Sequence, residues 1–376
     1  MKRNLAMAAL ACSGFVGSAH AQSSVTLYGI IDVGVNYVTN LKSGNGSSAV
    51  MLQDGPPQAS RWGLRGSEDL GGGNRAIFTL ESGFSAVTGT SSQGSRLFGR
   101  QSFVGLQNDR LGTLTLGRQY DAVVAFLAPM TANGTYGGGY FSHIFDNDNT
   151  DNNTRITNSI KYMSPSYGGF TFGGLYGLSD QAGGFSNNRA YSFGAGYSAG
   201  PVSLGAAYQV YNHPGANADG AVSSNADATF IGRQQQIFGL GGTYTIGPVK
   251  AGLAWTRTDI TGITSGPIVA DRLLLNNFEI NARYDITPNV FLAGGYTYTV
   301  GRQVNASTET KPKWHQLNLM LDYAFSKRTD VFLISAYQKA AGDATFAFIY
   351  GNGQTPVQSA GTAKQAVVRV GIRHKF

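Results

Sequence analysis

From Ser24 onward the chain alternates between apolar and polar positions. In Val25 to Asn40, residues Leu27, Ile31, Val33, Val35 and Tyr37 fall on one parity, and Thr26, Tyr28, Asp32, Gly34 and Asn36 fall on the other. Asn276 to Ile286 repeats the pattern, with Phe278, Ile280, Ala282, Tyr284 and Ile286 opposed to Glu279, Asn281, Arg283 and Asp285. Trp314 to Phe325 sets Leu317, Leu319, Leu321, Tyr323 and Phe325 against Gln316, Asn318 and Asp322. Successive side chains of a strand point to opposite faces, so a period of two describes strands with one apolar and one polar face.

Two kinds of connection take turns between these segments. Tight ones fall at Leu70–Gly73, Asn108–Leu111, Ser166–Gly169, Gly200-Pro201, Gly247-Pro248, Thr287-Pro288 and Ser326–Arg328. Longer polar stretches intervene, among them Lys42 to Gln58, Ala122 to Thr154, His213 to Arg233 and Ala341 to Ala363. Seven tight turns separate eight hairpins, hence sixteen strands, each about 10 residues long, which suffices to cross an apolar band when tilted. A soluble β-sandwich also uses alternating strands, but a chain this long would divide into two such domains, and no linker or compositional break appears. The expected fold is all-β, a transmembrane 16-stranded antiparallel β-barrel. Closure is what the bilayer demands, because an unpaired strand edge in hydrocarbon costs several kcal/mol per polar group.

The start of the chain adds a compartment. Met1-Lys2-Arg3-Asn4, an apolar stretch from Leu5 to Val16 and Ala19-His20-Ala21 form the three-part layout of a secretory signal, expected to be cleaved after residue 21. Residues 22–376 would then be a single barrel domain. The apolar stretch is shorter than the run of about 20 residues a spanning helix needs. Cleavage removes Cys12, the sole cysteine, so neither disulfides nor a thiolate metal site hold the mature chain. It also removes Lys2 and Arg3, so 28 cationic against 21 acidic residues become 26 against 21.

The basic balance invites a nucleic-acid partner, but the cations are dispersed and the chain is exported, so none is expected. The 52 glycines, 19 tyrosines and 21 phenylalanines suit tight turns and pleated faces. Catalysis finds little support: beyond the signal only His143, His213, His315 and His374 remain, with no G-x-S-x-G or H-E-x-x-H motif. A barrel hydrolase and a non-conducting barrel for adhesion or anchoring are the alternatives to a channel. Asp146 to Asp151 superficially resembles a calcium loop, yet Asp151 stands where glycine is needed and Thr157 where the bidentate glutamate belongs. No metal or cofactor is expected.

Several motifs resemble those of the general porins of Gram-negative bacteria, particularly the β-proteobacterial branch. They are Ser24-Val25-Thr26-Leu27-Tyr28-Gly29, Ser60 to Gly71 (SRWGLRGSEDLG), Arg100 to Leu106 (RQSFVGL) and Leu114 to Gln119 (LTLGRQ), and the likeness spans the mature chain. The resemblance implies an outer-membrane homotrimer that passes small hydrophilic solutes and ions by diffusion. It also implies that the third long loop, Ala122 to Thr154, folds into the pore. The final strand, Gln365 to Phe376, ends on an aromatic that in this family resembles the signal read by the outer-membrane assembly machinery; His374 departs mildly from the usual apolar pattern.

A polar channel selects by the charges at its narrowest point. Arg61 and Arg65 share a parity opposite Trp62 and Leu64, and Arg155 and Lys161 share one opposite Ile156 and Ile160, so all four are expected to point inward. Arg100 and Arg118 sit on the apolar parity of their segments; a β-bulge or a strand end could turn them, and the resemblance favours Arg100 as a pore residue. The expectation is a basic wall of Arg61, Arg65, Arg100, Arg155 and Lys161 facing the loop acids Asp146, Asp148 and Asp151, with a modest anion preference.

Overall fold

The computed structural model describes residues 24–42, 47–223, 227–349 and 359–376; the signal expected over residues 1–21 lies outside them. The described residues form one closed antiparallel sheet of sixteen strands. These are β1 (Ser24–Val38), β2 (Ala49–Asp54 and Arg61–Gly71), β3 (Asn74–Gly83), β4 (Gln101–Asn108), β5 (Gly112–Gln119), β6 (Ile156–Met163), β7 (Phe170–Gly177) and β8 (Ala190–Ala199). They continue as β9 (Val202–Asn212), β10 (Gln234–Ile246), β11 (Val249–Ile263), β12 (Ala270–Thr287), β13 (Val290–Asn305), β14 (Thr308–Thr310 and Pro312–Ala324), β15 (Thr329–Gly342) and β16 (Lys364–Lys375). Each strand pairs with the next, and β1 pairs with β16 from Ile30 opposite Lys375 to Val38 opposite Val367, which closes the barrel and leaves no edge.

The seven tight turns join the strands where the sequence places them. Gly200 and Gly247 adopt φ of 55° and 54°, a conformation that glycine reaches without the steric cost of a Cβ. At the other end the connections are long, except between β11 and β12 and between β13 and β14. β2 is interrupted by Pro56 and Pro57, which lack the N–H needed to continue the ladder. The interruption becomes the seat of a loop, described below.

The radial pattern is inverted relative to a soluble protein. Apolar side chains stand on the outer wall, such as Leu253 (63% exposed) and Val370 (60%), while Asp32, Asn36, Thr256, Asn277, Gln316 and Arg369 are buried inside. An apolar band of this extent requires lipid around it. No helix among the described residues is long and apolar enough to cross a membrane; crossing is by strands.

Candidate functional site

The barrel interior is crossed by the segment between β5 and β6. Short helical turns at Val123–Leu127, Ala128–Met130, Asn133–Gly137, Gly138–Phe141 and Ile144–Asp146 carry it along the inner wall. Glycines in the wall make room for it. A Cβ on Gly205 would lie 1.9 Å from the Phe126 carbonyl oxygen, one on Gly194 2.6 Å from the Phe126 ring, one on Gly239 2.4 Å from Leu127 and one on Gly241 2.8 Å from Met130. The loop therefore lies directly on β8, β9 and β10, with its backbone against β9 at Gly205.

Polar contacts fix its far half. The Gly139 N–H donates to the Pro56 carbonyl at 2.7 Å, at the interruption of β2. The Tyr140 hydroxyl reaches Asn36 and Gln53, and the Gln316 amide donates to the carbonyls of Tyr140 and Ser142. The central fastening is His143, 1% exposed, whose Nδ1 lies 2.6 Å from Asp148 and whose Nε2 lies 2.9 Å from Glu279 on β12. Burial alone would lower its pKa, but the two carboxylates outweigh that and push it up to about 10. A buried imidazolium thus clamps the loop to the wall.

Two of the expected pore acids are therefore corrected. Asp148 is fully buried and bonds His143, Thr150 and Thr256, and burial is overcome by the His143 charge, which holds its carboxyl below the usual range. Asp146, 3% exposed, accepts from the Asp151 and Asn153 backbones and the Asn153 amide. Burial and then Asp148 push it up to about 7. Both act inside the loop. Asp151 is partly exposed, and its environment includes Arg155 and Arg100; burial and Asp146 raise its pKa well above the ordinary value. It is the one of the three that approaches the basic wall.

The basic residues gather on β2 to β6. Arg61 and Arg65 pair in register with Ile30 and Thr26 on the lumen side of β1, and Arg65 stacks over the Tyr28 ring at 5.4 Å. Arg100 lies one residue before β4, which frees it from the strand's parity. Its Nε donates to Glu81 at 2.8 Å and its Nη2 to the Tyr120 hydroxyl at 2.9 Å. Arg61 shares the same carboxylate at 3.7 Å. Arg155, 5% exposed, stands just before β6, stacks over the Tyr120 ring at 5.6 Å and donates to Asn152 and Asn153. The Lys161 amine donates to the Tyr120 carbonyl at 2.8 Å.

Arg118 is turned by a register irregularity at Gly117 to Gln119, with Gly117 at φ 137°. Its guanidinium forms a two-pronged pair with Asp227, which Arg96 also meets at 3.3 Å. Sequence reasoning missed Glu81, Tyr120, Asp227 and the His143–Glu279 contact, since each lies far along the chain from its partner.

A family profile described as Gram-negative porin matches residues 6–343. An outer membrane porin of Bordetella pertussis is 33% identical, and outer membrane porin protein 32 of Delftia acidovorans 30% identical, each alignment covering 100% of both chains. Among solved structures, an anion-selective porin from Comamonas acidovorans superposes with a TM-score of 0.72 at 27% identity, covering 94% of this chain and 100% of that one. A trimer form of OmpT from Vibrio cholerae, at TM-score 0.66 and 14% identity over 94% of this chain and 99% of that one, shares the fold. By closed barrel, inward loop and matches along most of its length, the chain belongs to the Gram-negative porin family, water-filled channels of the bacterial outer membrane.

Proposed function

We propose that this porin is a non-enzymatic homotrimeric diffusion pore for small hydrophilic solutes, with a modest preference for anions. The observation that carries the preference is the imbalance of charge beside the loop. Among the described residues, Arg61, Arg65, Arg96, Arg100, Arg118, Arg155 and Lys161 meet only Glu81 and Asp227 as ion-pair partners within 4.0 Å. Asp146 and Asp148, which would otherwise offset them, are committed inside the loop. A cationic surplus in a narrow, partly desolvated passage lowers the barrier for anions and raises it for cations. The selectivity named for the Comamonas relative agrees with this reading.

Trimeric assembly, delivery by a signal cleaved after residue 21 and recognition of Phe376 by the assembly machinery belong to the same proposal. Reversal potentials in a salt gradient across a planar bilayer test the selectivity. The protein should favour anions, and R100Q/R155Q should move the reversal potential toward zero; a cation preference of the unaltered protein refutes the reading. Three equal closing steps per insertion would establish the trimer, and steady single steps would exclude it.

A further inference from the structure

The outer wall carries a second basic cluster, separate from the lumen. Strand register places Lys364 of β16 directly opposite Lys339 of β15, and Lys339 directly opposite His315 of β14. Lys313 lies two positions from His315 on the same face, diagonal to Lys339. All four share the parity of Leu317, Leu333, Tyr337 and Val368, which are exposed on the apolar wall, whereas the alternate residues Trp314, Gln316, Gln338 and Gln365 are buried.

These lysines lack the carboxylate partner that two outer-wall arginines have. Arg272 is paired with Asp259 at 2.5 Å and Arg302 with Glu309 at 2.6 Å. No carboxylate lies within 4.0 Å of Lys313, Lys339 or Lys364 among the described residues, and every acidic residue of the chain is described. Like charges directly opposite on neighbouring strands repel, so the Lys339–Lys364 pair is unfavourable unless an anion lies between them.

The height of the cluster identifies that anion. Tyr323 marks the turn end of the outer face of β14, and His315 stands eight positions further up. At about 3.4 Å per residue and a tilt of about 40°, the separation along the membrane normal is about 20 Å, close to the height of the apolar band. His315 stacks on Tyr298 with ring centroids 4.8 Å apart and bonds the Tyr296 hydroxyl at 2.6 Å, an interfacial aromatic group. The lysines therefore stand at the long-loop, outward-facing edge of that band, where outer-leaflet headgroups begin.

We propose that Lys313, Lys339 and Lys364 bind the phosphate of an anionic outer-leaflet glycolipid whose acyl chains lie along Leu317, Leu333, Tyr337 and Val368. The proposal rests on the outer-membrane setting of the barrel and is independent of its ion preference. The test uses purified, folded full-length protein in detergent with a chelator present, titrated with diphosphoryl lipid A, its dephosphorylated counterpart, or inorganic phosphate, and read by the shift in unfolding temperature. Diphosphoryl lipid A should raise that temperature, the other two should not at equal concentration, and K313Q/K339Q/K364Q should weaken the apparent affinity by about tenfold or more. Equal binding by the variant, equal response to the dephosphorylated lipid, or equal response to inorganic phosphate overturns the proposal. Single-channel conductance of the variant should match the unaltered protein, which separates loss of the lipid site from loss of the pore.

Discussion

The clamp at His143 ties the inward loop to β12 through one buried imidazole. His143→Gln removes the one cation between Asp148 and Glu279, which lie 2.6 and 2.9 Å from its two ring nitrogens with all three side chains buried. Removing one partner from a buried ion pair costs about 3–5 kcal/mol, because the remaining charge stays desolvated without compensation. The barrel ladder does not depend on this contact, so the cost falls on loop docking. A loss of about 3 kcal/mol lowers the docked-to-undocked ratio about 150-fold. Planar-bilayer recording at neutral pH should show a larger and noisier single-channel current, and limited proteolysis should cut between Ala122 and Thr154. H143Q/D148N/E279Q, which leaves no charge at this contact, should restore much of the quiet current.

The sign of the pH effect follows from the same contact. The His143 pKa is raised to about 10, so its contribution is complete below the ordinary imidazole value and is lost as pH climbs through about 10. The Asp148 carboxyl is held below its ordinary value, so its contribution is lost as pH falls below the carboxylate range. Loop noise should therefore rise at both extremes, with the imidazolium contribution complete below about pH 6.5 and gone above about pH 10. An H143Q protein with unchanged conductance, noise and protease resistance would refute the clamp.

Other perturbations test the remaining supports. Gly205→Val places a side chain where the Phe126 carbonyl now lies; it should displace the loop at a cost of about 1–3 kcal/mol and broaden the conductance histogram. Arg118→Met leaves Asp227 with Arg96 alone and should lower the unfolding temperature measured by heat-modified gel mobility while reducing anion preference. Deleting Phe376 removes the two backbone hydrogen bonds it exchanges with Gly29. Folded protein recovered from outer-membrane fractions should fall sharply, while Phe376→Tyr should keep it.

What could be read from the chain by itself was whatever repeats locally. Alternation in segments such as Trp314 to Phe325 determined both faces of a strand, and the seven tight turns determined strand number and antiparallel order. The inward direction of Arg61 and Arg65 followed from the same parity. Residues at strand ends and irregularities escaped this rule: Arg100 lies one residue outside β4, and Arg118 sits at the Gly117 irregularity. Parity is a property of regular backbone and lapses where the ladder does.

The tertiary structure alone decided the roles of the loop acids. Asp146, Asp148 and Asp151 look alike in sequence, yet Asp148 is spent on His143 and Thr256, Asp146 on Asn153, and only Asp151 approaches the arginines. Their fates depend on Glu279 and Thr256, more than a hundred residues away, and on a glycine-lined wall that lets the loop backbone approach. Local periodicity carries no information about which distant side chain will neutralise a buried charge. That choice is made only when closure of the barrel brings β11 and β12 against the loop.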